Sequence, residues 1–202
     1  LAKDDKSREH PSVLAALRDS RVLHLALTYF LLQMGFYGLT FYLPSQIGLL
    51  MGSSMGLKVG LVSAIPWACA LLGVSLIPPW CDRRGNAREV GAIILALSGC
   101  SLALSAVAGS PLLALAALSA AACGLIVSPA LFWTMPTSLL AGAAAAGGIG
   151  LINAVGNLGG FVAPNLRAWL DVAFGFSGAG LIGLGIVNII GACFYAVAPR
   201  KA

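Results

Sequence analysis

The chain has 202 residues, with 12 Lys and Arg against 7 Asp and Glu, so only 9% of positions are charged while 59% are hydrophobic. Soluble domains carry about 25% charged residues, and here the shortage is concentrated: Val90 to Leu166 and Val172 to Pro199 contain no Asp, Glu, Lys, Arg or His. One bilayer crossing takes about 20 apolar residues, so such runs exclude a soluble fold and require several crossings, and the alternating short segments of a membrane β-barrel are absent.

Residues 1–21 read as a cytoplasmic linker. Leu1 to His10 is charged, and the polar first 20 residues carry no signal-peptide pattern; a start at Leu suits a fragment. Ser12 to Arg21 places Val13, Leu14 and Leu17 on one face with Arg18 opposite, which suits a short helix on the membrane surface or simply the linker's end. Six spans follow, at about 22–43, 59–79, 90–107, 111–135, 143–165 and 178–198, making residues 22–202 an all-α six-helix transmembrane bundle. Connections are predicted over Pro44 to Lys58, at the polar turn Cys81 to Glu89, at Gly109, Ser110 and Pro111, and from Pro136.

Charge fixes the orientation. With the N-terminus inside, the cytoplasmic face collects Lys3, Lys6, Arg8, Arg18, Arg21, Arg83, Arg84, Arg88, Arg200 and Lys201, and only Lys58 and Arg167 fall outside. The positive-inside rule therefore places both termini in the cytoplasm of a multi-pass plasma-membrane protein, a bacterial inner membrane. The same clustering beside apolar runs accounts for the pI near 9.2 without nucleic acid. Cys69, Cys81, Cys100, Cys123 and Cys193 are odd in number and have no paired spacing, so neither a metal site nor a disulfide framework is expected.

No charge lies mid-span, so a proton relay or buried ion pair is not expected from this chain alone. Uncharged polar groups remain. In the first span Tyr29, Gln33, Tyr37 and Thr40 fall on one stripe, with Phe36 beside them. That stripe fits either the wall of a cavity that hydrogen-bonds a polar solute or glue between helices. In the fifth span Ala146, Gly150, Gly156, Asn157, Gly160 and Pro164 all lie within about 60° of Asn153, a face without a large side chain. Small residues let backbones approach, whereas a pure packing seam has no use for two carboxamides, so this helix is expected to pack closely along part of its length and expose Asn153 and Asn157 to a central cavity. Pro66, Pro129 and Pro136 bend or break their helices. Trp169 reads as an interfacial anchor, Trp133 as gate or anchor, His24 as a headgroup-level residue, and Asn188 as an interhelical hydrogen bond.

The loop after the second span, CDRRGNARE, contains Asp82, Arg83, Gly85 and Arg88 in the pattern D-R-x-G-x-x-R. It resembles the signature loop of major facilitator superfamily transporters, which recurs between the second and third helices of each six-helix half; Pro78 stands where that pattern opens with Gly. Phe132 to Pro164, FWTMPTSLLAGAAAAGGIGLINAVGNLGGFVAP, is similar to the tenth and eleventh helices of the anion:cation symporter family. Tyr37 to Pro44, YGLTFYLP, is similar to its seventh, with Tyr42 at a position where that family often has Trp. The resemblance covers essentially the whole chain as the C-terminal half of a twelve-helix protein. It implies that the N-terminal six-helix half, with the family's anion-binding Arg and proton-coupling carboxylates, lies outside these residues. It further implies transport of small organic anions such as sugar acids, hexuronates, aromatic or dicarboxylic acids, with a proton as coupling ion and no enzymatic activity or cofactor. Tyr37, Trp133, Asn153 and Asn157 would then face substrate, with Gln33 added from the stripe, and Asp82, Arg83 and Arg88 would form a conformational latch. The competing reading is a non-transporting six-helix protein, a relic or a scaffold for partner helices.

Overall fold

A computed structural model describes residues 18–53, 56–140 and 142–199. The described residues are helical throughout, with no strand, and six helices are long and apolar enough to cross a membrane. The crossings are α1 (Ser20–Met51), α2 (Leu57–Arg84), α3 (Ala87–Val107), α4 with the short α5 (Pro111–Phe132 and Thr134–Leu139), α6 with α7 (Gly142–Asn157 and Gly159–Phe174), and α8 (Ala179–Ala196). The surface helix expected over Ser12 to Arg21 lies outside the described residues up to position 17. Beyond it, Asp19 is the N-cap of α1, its carboxylate accepting from the Arg21 amide at 2.8 Å.

The helices run further than the apolar runs suggest. α1 continues through Pro44 to Met51, and α2 through Pro78 and Pro79 to Arg84. Each proline deletes one backbone donor, which a water-exposed helix tolerates poorly but a membrane helix accommodates through its neighbours. The stops are glycines: Gly52 and Gly85 adopt left-handed φ values of 59° and 66°, a conformation that costs a side-chain-bearing residue about 1–2 kcal/mol.

α1 sits at the centre, against α6 and α7 on one side, α8 on another, and α4 below; α3 packs on α4 and α8, and α2 lies outside α4. The contacts depend on missing side chains. A Cβ on Gly35 would meet the Asn188 amide, one on Gly38 would meet Leu184, and one on Gly99 would lie 2.5 Å from the Gly185 carbonyl, so α8 is wedged between α1 and α3 at near-backbone distance. Without a hydrophobic driving force between helices in lipid, this close van der Waals packing is what holds the bundle together. The outer surfaces of α2, α3 and α7 carry exposed Leu61, Leu72, Leu76, Ile93, Leu97, Phe161 and Val172, as lipid contact requires.

Candidate functional site

The polar groups converge where α1 meets the broken α6–α7 crossing. Gly156 receives the ring of Tyr29, Gly160 that of Tyr37, and a Cβ on Gly159 would lie 2.9 Å from the Phe30 carbonyl oxygen and 3.0 Å from the Met34 nitrogen. The glycine side of the stripe is therefore the packing seam, and the amide side is left open: Asn153 and Asn157 are both exposed. The Tyr37 hydroxyl donates to Asn157 Oδ1 at 2.9 Å, and Asn157 Nδ2 donates to the Asn153 carbonyl oxygen at 2.9 Å and to Asn153 Oδ1 at 3.2 Å.

The helix break falls directly after this array. The Leu158 amide bonds to the Val155 carbonyl, a tight three-residue step, before α7 restarts at Gly159. Asn157 bonding back to the carbonyl four residues earlier is the interaction by which polar side chains bend helices, and irregular backbone at membrane depth is tolerated where it is buried in protein or lines a cavity. Sequence periodicity alone gives no sign of the interruption.

Trp133 joins from the fourth crossing. It occupies the junction of α4 and α5, with its ring edge-on to Tyr29 at 5.0 Å; Tyr29 also stacks on Phe132 at 5.0 Å, and Phe132 meets Tyr195 edge-on at 5.9 Å. These rings form a floor that links α1, α4 and α8 beneath the array. Gln33, between Tyr29 and Tyr37 on α1, is only 6% exposed, and its main chain lies against Gly159. It belongs to the seam, not to the open face. Thus Tyr37, Asn153 and Asn157 are directly bonded, Trp133 is tied to them through Tyr29, and Gln33 lies beneath.

The signature loop joins the end of α2 to the start of α3. Asp82 and Arg83 are exposed in the last turn of α2, while the Arg88 guanidinium donates to the Ala196 carbonyl at the end of α8. Asp82, Gly85 and Arg88 face Thr134, Met135 and Ser138 of the α5 region across a cavity of about 290 Å³. The loop thereby bridges the ends of α2, α3 and α8 and borders the segment that follows the Trp133 junction.

Two sequence expectations are corrected. Arg167, expected in an outer loop, lies within α7 and is 4% exposed, and it forms the ion pair that the charge count ruled out: its Nε is 3.7 Å from Asp171 Oδ2, one turn along. The guanidinium lies 3.8 Å from the centroid of the Tyr42 ring on α1, and Asp171 Oδ1 accepts from the Gly180 amide in the first turn of α8 at 2.8 Å. One buried arginine and its partner thus tie α1, α7 and α8 together. The signal was present as Arg and Asp four apart, but reading the span as ending at 165 hid it. Asn188, expected to make an interhelical hydrogen bond, has both amide atoms buried with no partner among the described residues, because it faces the bare backbone of Gly35 and Gly99.

The family described as the Major Facilitator Superfamily matches residues 2–164. The chain is 42% identical over 191 residues to the inner membrane transport protein RhmT of Escherichia coli (strain K12), which covers 95% of this chain and 44% of that protein. It is 41% identical over 190 residues to a quinolone resistance transporter of Acinetobacter baumannii (94% of this chain, 43% of the relative) and 38% identical over 196 residues to a putative tartrate transporter of Agrobacterium vitis (95% and 42%). The chain therefore spans less than half the length of these curated relatives. With six apolar crossings, a signature loop bridging the ends of three of them and a matching family over most of its length, the chain belongs to the Major Facilitator Superfamily.

Proposed function

We propose that this chain is the C-terminal half of a secondary transporter for small organic anions, working by proton-coupled symport and alternating access at the plasma membrane with both termini in the cytoplasm. The observation that carries this reading is the hydrogen-bonded Tyr37–Asn157–Asn153 array on an open face of an otherwise apolar bundle. Exposed carboxamides toward lipid are unfavourable, whereas toward a water-filled cavity they bind hydroxyl and carboxylate groups. In alternating access the solute lies near the bilayer midplane between two repeats that rock around it. This chain supplies one wall, with neutral donors and acceptors. The second six-helix half supplies the other wall, the fixed positive charge for the anion and the titrating carboxylate. Trp133 and Tyr29 close the wall from the cytoplasmic side, and Gln33 supports it from the seam.

Asp82, Arg83 and Arg88 act as the latch. Arg88 holds the end of α8, and Asp82, at the C-terminal end of α2 and beside the α5 cleft, accepts from a cationic or amide partner in one state and releases it in the other. The names of the relatives, one for tartrate and one for quinolone resistance, direct the choice of solutes.

The test is uptake into proteoliposomes by the complete protein carrying this segment, driven by an inward proton gradient, with tartrate, a hexuronate, an aromatic acid and a quinolone as solutes. Gradient-dependent accumulation of at least one organic anion is expected. Uptake of none leaves the scaffold reading, and uptake insensitive to the gradient removes symport.

A further inference from the structure

α2 packs chiefly on α4, and this contact brings together two thiols that lie far apart in the sequence. Cys123 turns its sulfur from α4 into the notch that Gly73 leaves on α2, filling the place a Cβ would take. Cys69 stands one turn before Gly73 on the same helix, a spacing that sets Cβ positions about 5–6 Å apart. Both thiols line one groove of about 570 Å³ between the helices. Both are free and partly exposed, and they are electrostatic neighbours.

The surroundings decide what such a pair can hold. Ile65, Leu112, Leu115, Ala116 and Ala120 supply the rest of the wall, and the Ser119 hydroxyl already donates to the Leu115 carbonyl oxygen at 2.8 Å. Among the described residues no group of three His, Cys, Asp or Glu comes together, so a cation that requires four protein ligands, such as structural zinc, is not served. Two thiolates suit a soft cation that accepts linear two-coordination. Charge then selects among such cations. Two thiols release two protons on binding, so a monovalent ion leaves a complex of charge −1 in an apolar groove, where an uncompensated charge is costly. A divalent ion leaves a neutral complex.

We propose that Cys69 and Cys123 form a two-thiolate site for the mercuric ion, which staples α2 to α4. Both S–H bonds break, two S–Hg bonds form, two protons pass to water, and nothing is oxidised or reduced. The second bond is intramolecular and strengthens retention about 10²- to 10⁴-fold over a single thiol. The site is separate from the Tyr37–Asn157–Asn153 array and is independent of the transport reading.

The test adds one equivalent of mercuric chloride to the complete protein in detergent, challenges it with glutathione and follows the retained ion by intact-mass spectrometry. One ion should survive the challenge, with a mass gain of one mercury less two hydrogens. Cys69→Ser and Cys123→Ser should each lower the glutathione concentration needed for release at least about 100-fold. In the unaltered protein, peptide mapping should show the bound ion blocking alkylation of Cys69 and Cys123 together, while the exposed Cys100 and Cys193 still react. Silver, measured against mercury and scaled to dithiothreitol in water, should be held at least about 10-fold less well by the protein. Retention unchanged in either variant, or protection of only one of the two cysteines, overturns the site. A silver-to-mercury ratio equal to that of dithiothreitol overturns the selection by charge.

Discussion

Placing a single methyl group at Gly159 tests whether the glycine seam positions the site. A Cβ there would lie 2.9 Å from the Phe30 carbonyl oxygen, 3.0 Å from the Met34 nitrogen and 3.2 Å from the Gln33 carbonyl carbon, all backbone atoms of α1. A side chain can rotate away from such a contact, but the backbone of a continuous helix cannot, so α1 and α7 must separate by several tenths of an ångström. Overpacking of this kind costs about 1–3 kcal/mol. A radial gap of 0.5–1 Å along the rest of the seam forfeits a quarter to a half of each affected contact. Gly150 is the internal control: it lies on the same crossing with nothing within 4 Å of its Cβ position, so Gly150→Ala should be neutral or stabilising by up to about 1 kcal/mol through helix propensity. Thermal unfolding of both variants in detergent, followed by loss of monodisperse protein, should show Gly159→Ala melting clearly below the parent and Gly150→Ala at or slightly above it. Because the same seam carries Tyr37 toward Asn157, Gly159→Ala should also weaken solute binding. Equal melting temperatures for the two variants would refute the close-packed seam.

Further expectations follow from the polar groups outside the array. Asp171→Ala removes both the partner of a buried arginine and the acceptor for the Gly180 amide, and should cost about 1–3 kcal/mol after allowance for the partial exposure of Asp171; in thermal unfolding the double variant Asp171→Ala, Arg167→Met should recover most of that loss, since no unpaired charge remains buried. Asn188→Leu replaces two unpartnered buried amide atoms with methyl groups of similar volume and should leave stability unchanged or raised by about 1 kcal/mol; a marked loss of melting temperature would mean that the amide has a partner. Asp82→Asn should slow the turnover of uptake several-fold while changing apparent affinity less than about 2-fold if the proposed latch holds, because Asp82 lies in the last turn of α2, outside the array.

Much of the bundle was legible because lipid imposes a simple rule: charges mark the ends and apolar length marks the crossings. The rule is weaker at the boundaries. Pro44, Pro78 and Pro79 look like stops, yet α1 and α2 run through them, since membrane helices tolerate a lost backbone bond that soluble helices do not. Arg167 was misplaced for a related reason: an arginine at the edge of an apolar run looks like a loop residue unless the ring across from it is known, and Tyr42 lies far away in the sequence. Within the site, helical periodicity grouped Asn153 with Asn157 and Tyr29 with Tyr37 because those relations are local. It could not distinguish the seam side of the stripe from the open side for Gln33, which depends on how deeply α7 settles against α1. The missing partner of Asn188 was equally out of reach, since it arises from glycines on two other helices.

The central claim is that the Tyr37–Asn157–Asn153 array lines the solute path, and Asn157→Leu tests it most directly. This exposed position tolerates the side chain sterically, while the substitution removes both bonds that orient the array. Gradient-driven tartrate uptake by the complete protein should fall at least 10-fold with membrane insertion and melting temperature unchanged. Uptake that persists with unaltered apparent affinity would show that the array only holds the helices together.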